Sequence, residues 1–379
     1  MMSRSVHGTC PPRFAAIREA FAANFEAGRE VGASFAVTVD GEPVVDLWGG
    51  TADAAGTRPW AEDTIVNVFS TTKAMTALCA HMCVDRGLLD LDAPVVRYWP
   101  EFATGGKEAI PVRQLMSHTA GLAGVTPKLP LEALYDWTRM TDVLAAETPW
   151  WAPGTQSGYH AMTYGYLVGE VVRRVAGRSL GAFFRDEVAG PLGVDFHIGL
   201  PPSEDARVAD MVAPARGEGA IGELDPKTIS GRVLTNPPLR PEAANTARWR
   251  RAEIPAANGH GNARSVAQVL GVLACGGAKN GVRLLREEPL RDAIVEQYYG
   301  KDLVLGRTFR WGSGFMLTSD VLPLGPNPHV FGHGGWGGSL GFADLDARVS
   351  WAYIMNKMSP GTTGDFRVAG MLAGLYSSL

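Results

Sequence analysis

Two residues of the sequence, Ser70 and Lys73, have the types and the spacing needed for nucleophilic catalysis. The apolar pattern predicts a helix over residues 71–86, and residues three apart at the start of a helix share one face. The lysine amine can then reach the serine hydroxyl and, when partly desolvated, take its proton. The helix N-terminus adds free backbone N–H groups beside the reacting oxygen. An N-cap serine followed by a solvated lysine would explain the same residues, so other motifs must decide.

Tyr159 offers a second group for proton transfer. It precedes a helix predicted over residues 163–176, within the run SGYHAMTYGY. Tyrosine ordinarily titrates near pH ~10, but beside a lysine its phenolate becomes accessible and can act as general base and general acid. Taken alone, Tyr159 would be explained by packing.

A glycine-rich run, FGHGGWGGSLG at residues 331–341, is the third motif. Its six glycines are more than one tight turn requires. Glycines on a strand let another molecule approach the backbone closely. Backbone N–H groups in this run could complete an oxyanion hole with the N–H of Ser70.

The elements that must position these motifs are strands at both ends of the chain and helices in its middle. Two β-rich runs flank Asp40-Gly41, which is a strong hairpin signal. This order predicts one sheet built from both ends of the chain, with a helical domain inserted. The predicted strands are residues 32–39, 43–50, 308–317, 340–345 and 349–356, and the other predicted helices are residues 12–28, 141–146, 180–187 and 365–377.

Together the three motifs resemble the serine β-lactamase and penicillin-binding superfamily, and more closely the class C β-lactamase-like carboxylesterases known as family VIII. The resemblance extends from about residue 15 to the C-terminus and includes the connecting runs GLLDLD at residues 87–92 and LMSHTAGL at residues 115–122. It implies a β-lactamase/transpeptidase-like fold of the α/β (α+β) class. In that fold a central antiparallel sheet is flanked by helices and carries an inserted, mostly helical domain.

The resemblance also implies domain boundaries. Residues 1–69 and 264–379 would form a discontinuous α/β domain that contains the antiparallel sheet, and residues 70–263 a mostly helical domain. The active site would lie in the cleft between them. Residues 201–258 are rich in Pro, Gly, Ala and charge, and we expect them to form a long excursion that walls a cleft.

Roles for the motif residues follow from the same resemblance. Ser70 would be the acylated nucleophile, Lys73 its activating partner and Tyr159, which matches the tyrosine of a Tyr-x-Asn motif, the proton shuttle. The amides of Ser70 and Trp336 would form the oxyanion hole. The expected reaction is hydrolysis of short-chain carboxylic esters through an acyl-enzyme.

The sequence departs from the β-lactamase pattern at two polar anchors. Ala161 stands at the asparagine of Tyr-x-Asn, and His333 replaces the lysine of Lys-Thr-Gly. Histidine is largely neutral at pH 7, and Trp336 adds apolar bulk, so small uncharged esters are favoured over antibiotics. The residues expected to contact substrate are His333, Gly334, Gly335, Trp336 and His160.

Other functions and other serines remain open at this stage. The same residues could serve an acyltransferase, a weak β-lactamase or a D-amino-acid peptidase, and the fold could serve a non-catalytic sensor. Residues 337–341 match Gly-x-Ser-x-Gly, but a nucleophile elbow needs a following helix and the sequence here is β-rich, so Ser339 is expected to be a decoy. His118 is expected to bond the backbone, and Glu170 to pack or form ion pairs.

Composition limits the partners and the location. The formal net charge is −4 and no basic block is present, which argues against nucleic acid and anionic membranes. We see no signal-peptide core and no membrane-spanning run, so a cytoplasmic location is expected. No cofactor or metal is expected, because Cys10, Cys79, Cys83 and Cys275 lack a metal-ligand pattern, and Cys79 and Cys83 are expected to be buried thiols.

Overall fold

A computed structural model of the chain describes residues 5–214, 224–361 and 365–379. The strands within these residues are β1 (Val6–Thr9), β2 (Gly32–Val39), β3 (Glu42–Gly50), β4 (Val66–Asn67), β5 (Phe196–Ile198), β6 (Gly259–Gly261), β7 (Ala278–Lys279), β8 (Val282–Arg283), β9 (Tyr298–Lys301), β10 (Thr308–Trp311), β11 (Met316–Leu317), β12 (Val330–Gly334), β13 (Leu340–Asp344) and β14 (Val349–Met355). The helices are α1 (Ala15–Glu26), α2 (Thr72–Asp85), α3 (Val112–Met116), α4 (Trp137–Ala146), α5 (Thr163–Ala176), α6 (Leu180–Phe184), α7 (Gly190–Leu192), α8 (Ile229–Thr235), α9 (Ala247–Arg251), α10 (Ala263–Ala274), α11 (Glu287–Ala293) and α12 (Ala369–Tyr376).

Nine of these strands form one antiparallel sheet in the order β1-β3-β2-β14-β13-β12-β11-β10-β9. The hairpin predicted around Asp40-Gly41 is confirmed, and both residues have positive φ angles, 49° and 74°. Strand β14 pairs with β2, which joins the C-terminal strands to the N-terminal hairpin. The prediction of a single sheet built from both ends of the chain is therefore confirmed.

The prediction of one continuous strand over residues 308–317 is wrong, because the structure divides this segment into β10 and β11. The break contains Gly314, whose φ is 91°, and a side chain there would collide with Ala77 of α2 and Tyr164 of α5. The strand is interrupted where its backbone lies against side chains of these two helices. A helix predicted over residues 180–187 also changes character, since α6 ends at Phe184 and a π-helical turn follows.

Helices cover both faces of the sheet. On one face, α10 is tied to the sheet by Ser350, whose hydroxyl donates to the carbonyl of Ala267 over 2.6 Å. On the other face, Phe25 of α1 packs against Gly49 of β3, and α12 packs beside α1. Between sheet and helical region lies α2, which is buried along nearly its whole length, including the free thiols Cys79 and Cys83, as predicted.

The strands of the large sheet come from residues 6–50 and 298–355, on either side of the helical region. The division into domains at residues 69/70 and 263/264 stays a prediction. In the described part of the chain, no helix has both the length and the apolar character needed to cross a bilayer.

Candidate active site

Ser70 lies where the chain turns from β4 into α2. The preceding residue, Phe69, has a φ of 42°, and its carbonyl accepts the N–H of Thr72 over 3.0 Å. Strand β4 is fixed by pairing with β6, and Val68 extends this contact by donating its N–H to Gly259. These contacts leave Ser70 9% exposed, and its amide donates to none of the described residues. The serine therefore has both a reachable hydroxyl and a free amide.

Lys73 is completely buried, one helical turn after Ser70. Its Nζ lies 3.1 Å from the Oγ of Ser70, as the spacing predicts. It also donates to the carbonyls of Ala161 at 2.8 Å and Ala256 at 2.9 Å. Within the described residues no carboxylate pairs with it. Burial without a counter-ion lowers the pKa of Lys73 well below its usual value.

The three contacts of Lys73 suit a neutral amine. A carbonyl can only accept, so Ala161 and Ala256 take the two N–H bonds of an NH₂ group. The remaining lone pair then faces the hydroxyl of Ser70, which can donate to it. In this arrangement the lysine is ready to accept the serine proton.

Tyr159 packs directly against Lys73. The centre of its ring lies 4.7 Å from the Nζ of Lys73, and the ring stacks on Trp311 at 5.8 Å. Its hydroxyl is buried and has no hydrogen-bond partner among the described residues. Burial raises the pKa of Tyr159 above its usual range. The nearby hydroxyl of Ser70 lowers this pKa by a smaller amount. The phenol is therefore protonated at rest and available to donate.

Residues 335–339 form the turn between β12 and β13, and this turn packs on the segment that carries Ser70. A side chain at Gly335 would collide with the carbonyl of Val68 and the hydroxyl of Ser339. The sequence suggested that these glycines admit another molecule, but at Gly335 the close neighbour is the protein itself. Ser339 is buried and bonds the carbonyl of Val68 at 2.7 Å and the hydroxyl of Thr71 at 2.9 Å. A strand, β13, follows Ser339 instead of the helix that a nucleophile elbow requires. The two hydrogen bonds of Ser339 hold the turn against the segment that carries Ser70.

Trp336 lies in the same turn, and its amide donates to no other residue that the structure describes. The neighbouring Gly337 is held at both ends: its N–H donates to Gly361, and its carbonyl accepts from Ser359 at 2.7 Å and from Arg367 at 3.2 Å. The amide of Trp336 thus belongs to a rigid turn and is left free. The aromatic ring of Trp336 packs on Phe69, with 5.2 Å between ring centres.

A cavity of about 110 Å³ of solvent-accessible space opens onto Ser70. Among the described residues, the wall has hydroxyl groups at Ser70 and Tyr159, is otherwise largely apolar, and contains no charged side chain. Part of the wall comes from the segment 201–258, which confirms the prediction that this excursion walls a cleft. The lining residues are Phe69, Ser70, Tyr159, Ala161, Met162, Val233, Leu234, Pro237, Leu239, Ala257, Leu305 and Trp336.

Two histidines that were expected to contact substrate lie outside the cavity wall. His333 is buried with its ring 6.0 Å from that of Tyr159, and His160 bonds the carbonyl of Gly158 and the amide of Leu122. Burial lowers the pKa of His333 to about 3 and that of His160 to about 4, so both are neutral. Substrate contact by these residues, and by Gly334 and Gly335, stays a prediction.

His118 and Glu170, which were expected to have structural roles, make the structural contacts that were predicted. Nδ1 of His118 accepts the backbone N–H of His160 at 3.1 Å. Glu170 pairs with Arg173 and Arg174, each at 2.7 Å. Neither touches the cavity.

Sequence reasoning missed Asp302. This buried carboxylate accepts the backbone N–H of Tyr159 at 3.0 Å and the hydroxyl of Ser157 at 2.6 Å. The sequence offers only a weak signal for it, an aspartate four residues before Gly306 in a loop. Its distance in sequence from Tyr159 hides the contact.

Comparison with known proteins supports this description of the fold. Residues 17–374 match the Beta-lactamase family model. Esterase/beta-lactamase LipL of Mycobacterium tuberculosis is 38% identical over 364 residues, which cover 94% of this chain and 84% of LipL. A crystal structure of a family VIII carboxylesterase is 44% identical, with a TM-score of 0.92, and the match covers 99% of this chain and 100% of that one. A penicillin-binding protein homolog from Caulobacter crescentus is 43% identical, with the same TM-score and coverage.

The fold and these relatives define a serine hydrolase with the β-lactamase/transpeptidase-like architecture, as predicted. The chain belongs to the beta-lactamase family. The similarity extends over nearly the whole chain, with relatives that include esterases.

Proposed function

We propose that the protein is a carboxylesterase that hydrolyses short-chain, uncharged esters through an acyl-enzyme on Ser70. The observation that carries the proposal is the position of the Lys73 amine. It lies 3.1 Å from the hydroxyl of Ser70, and its other two contacts are carbonyl oxygens. A neutral amine so placed can activate the serine at neutral pH.

Acylation begins when the Oγ of Ser70 attacks the ester carbonyl carbon and its proton passes to the Nζ of Lys73. The carbonyl oxygen becomes an oxyanion, which the free amides of Ser70 and Trp336 would stabilise. The bond from the carbonyl carbon to the alkoxy oxygen then breaks. The departing alcohol takes up the proton held by Lys73, with the phenol of Tyr159 as the relay.

Deacylation reverses these roles with water as the nucleophile. Water attacks the acyl carbonyl and gives its proton to Lys73, directly or through Tyr159. The Oγ of Ser70 leaves and is reprotonated, and the carboxylic acid is released. The enzyme returns to its starting state without a cofactor, since each proton taken up is given back.

The cavity wall supports an uncharged substrate. A carboxylate in this cavity would lose its hydration, and the described lining residues offer no charged side chain to pair with it. The β-lactam and peptide alternatives are disfavoured for this reason, because their substrates carry such a carboxylate. Acyl transfer to an alcohol uses the same steps, with the alcohol in place of water.

The test is covalent labelling with a fluorophosphonate, followed by intact-protein mass. Ser70→Ala should abolish the label, while Ser339→Ala, the matched control in the decoy motif, should keep it. Loss of label only in the Ser339 variant would refute the assignment. Product analysis of p-nitrophenyl butyrate with and without added alcohol then separates hydrolysis from acyl transfer.

A further inference from the structure

Asp302 accepts hydrogen bonds from two separate segments beside the cavity, residues 157–159 and residues 304–305. It is fully buried in the loop between β9 and β10. Its Oδ1 accepts the backbone N–H groups of Tyr159 at 3.0 Å, Val304 at 2.9 Å and Leu305 at 2.9 Å. Its Oδ2 accepts the hydroxyl of Ser157 at 2.6 Å. Four donors therefore converge on one carboxylate.

The environment of Asp302 differs from that of a structural ion pair. Among the described residues, Ser157 is the one side chain that donates a hydrogen bond to Asp302, and no cation pairs with the carboxylate. A buried carboxylate is costly unless it is fully hydrogen-bonded, and here neutral donors supply all the bonds. The position of those donors is consequently fixed by the carboxylate.

Two of the donors belong to the cavity wall. Tyr159 and Leu305 both line the space in front of Ser70, and their amides share the same oxygen of Asp302. We propose that Asp302 is a positioning residue that fixes the separation between Tyr159 and the Leu305 wall. It would thereby act on turnover through Tyr159 and on the size of the accepted group through Leu305. This inference rests on the proposed esterase function.

Loss of Asp302 should loosen these segments without unfolding them. The N–H of Leu303 donates to the carbonyl of Ser157 over 2.9 Å, and this backbone bond ties the same two segments together. Asp302→Asn keeps the shape, because its amide oxygen can take the place of Oδ1 as the acceptor and its NH₂ can donate to the oxygen of the Ser157 hydroxyl. Asp302→Ala removes all four bonds.

Asp344 provides a matched control at another site. It is also fully buried, and its Oδ1 accepts two loop amides, those of Asp346 and Ala347, at 3.0 Å. Its Oδ2 accepts from the side chains of Asn327 at 2.9 Å and Tyr376 at 3.0 Å. None of these residues lines the cavity. Asp344→Ala therefore removes a similar set of bonds away from the nucleophile.

The experiment measures kcat and KM for p-nitrophenyl acetate, butyrate and hexanoate, with thermal unfolding as the check on folding. We expect Asp302→Ala to lower kcat by about 10- to 100-fold and to change the hexanoate-to-butyrate ratio of kcat/KM. Asp302→Asn should restore kcat to within about 3-fold of wild type, since it preserves the geometry. Asp344→Ala should lower the Tm but leave kcat and the chain-length ratio unchanged.

Either of two results would overturn the proposal: wild-type kcat and selectivity in Asp302→Ala, or equal losses in Asp302→Ala and Asp344→Ala. If Asp302→Ala fails to fold, Ser157→Ala removes one of the four bonds and should shift kcat in the same direction by a smaller factor. An unchanged kcat in that variant would then count against the proposal. Failure of the esterase function itself is distinguishable, because the wild-type enzyme would then hydrolyse none of the three esters.

Discussion

The backbone of Phe69 adopts a conformation that phenylalanine rarely takes. Its φ of 42° lies in the left-handed region, which costs roughly 1–2 kcal/mol for a residue with a side chain. Its ring is buried and packs on Trp336 and Trp249, with ring centres 5.2 and 6.3 Å away. Packing of the ring thus offsets a strain that lies immediately before Ser70.

This strain predicts that a glycine variant at position 69 is more stable than an alanine variant, the reverse of the usual order. Phe69→Gly and Phe69→Ala lose the same ring contacts, but only glycine relieves the backbone, so it should be more stable than the alanine variant by about 1 kcal/mol. Urea unfolding of both variants measures the difference. At Phe21, buried within α1, the same pair should show the usual order, with alanine the more stable. An alanine variant as stable as glycine at position 69 would contradict the prediction.

Lys73 should leave a signature in the pH dependence of stability. Burial lowers the pKa of Lys73 well below its usual value in the folded state, whereas the unfolded chain keeps the amine protonated up to about pH 10. The unfolded state therefore binds the extra proton, and the free energy of unfolding should rise with pH by up to about 1.4 kcal/mol per unit between the two pKa values. Lys73→Met should lack this rise. Parallel wild-type and variant curves between pH 6 and 9 would show that the lysine is charged in the fold.

The turn between β12 and β13 carries Trp336, one proposed oxyanion donor, and packs on the segment that carries the other, Ser70. Gly335→Ala would push its new methyl group into the carbonyl of Val68, so the turn must move. We expect kcat to fall by about 10²-fold, as for loss of one oxyanion donor, with a smaller change in KM. Gly190→Ala, whose methyl group would meet a single carbonyl at 3.2 Å, is the control and should keep its kcat. Normal turnover in the Gly335 variant would argue against a role for this turn.

Helix α8 forms one wall of the cavity and should limit the acyl chain. Val233→Ala removes two methyl groups from this wall. Each further methylene that the enlarged cavity buries is worth about 0.8 kcal/mol, so kcat/KM for hexanoate relative to butyrate should rise by about fourfold per methylene. Val188→Ala, buried away from the cavity, should leave the ratio unchanged. The steady-state ratios of the two variants provide the comparison.

At the scale of the whole molecule, a buried charge cluster joins the two ends of the chain behind the active-site turn. Glu30 follows α1, and it accepts from Arg367 at 2.9 Å and from the hydroxyl of Tyr353. Arg367 also pairs with Asp365 and reaches the carbonyl of Gly337. One guanidinium thus contacts two carboxyl groups, and burial raises the pKa of Glu30 to about 7 although Arg367 and Tyr353 oppose the rise.

This cluster predicts a loss of stability as the pH rises toward neutrality. The folded chain keeps a proton on Glu30 up to about pH 7, while the unfolded chain releases it near pH ~4.3, so stability should fall between these values. Glu30→Gln should not show this fall. Glu170→Gln is the control of opposite sign: although burial opposes it, hydrogen bonds from Arg173 and Arg174 lower the pKa of Glu170, and its contribution is lost only as the pH falls. Urea unfolding from about pH 3 to 8 tests both, because the Glu170 contribution is lost only below the unfolded pKa. A constant gap between wild type and Glu30→Gln would contradict the prediction.

The sequence alone determined the features that depend on short separations along the chain. The spacing of Ser70 and Lys73, the hairpin at Asp40-Gly41 and the extent of α5 follow from local periodicity and turn chemistry, and the structure confirms all three. The order of the three motifs was sufficient to indicate the family. Local patterns also located the ends of the predicted strands to within a few residues, except where a strand is interrupted at Gly314, but β1, β9 and β12 of the large sheet were not predicted.

Only the tertiary structure decided how the side chains are held. The carbonyls that bind Lys73 belong to Ala161 and Ala256, 88 and 183 residues away, and Asp302 is 143 residues from Tyr159. The burial of His333 beside Tyr159 depends in the same way on distant packing. Periodicity reports which residues share a face of one element, but it carries no information about which distant backbone atoms meet that face. The residue types and spacing of the candidate site were therefore readable in the sequence, whereas the burial that shifts its pKa values and the backbone contacts that hold it depend on the folded structure.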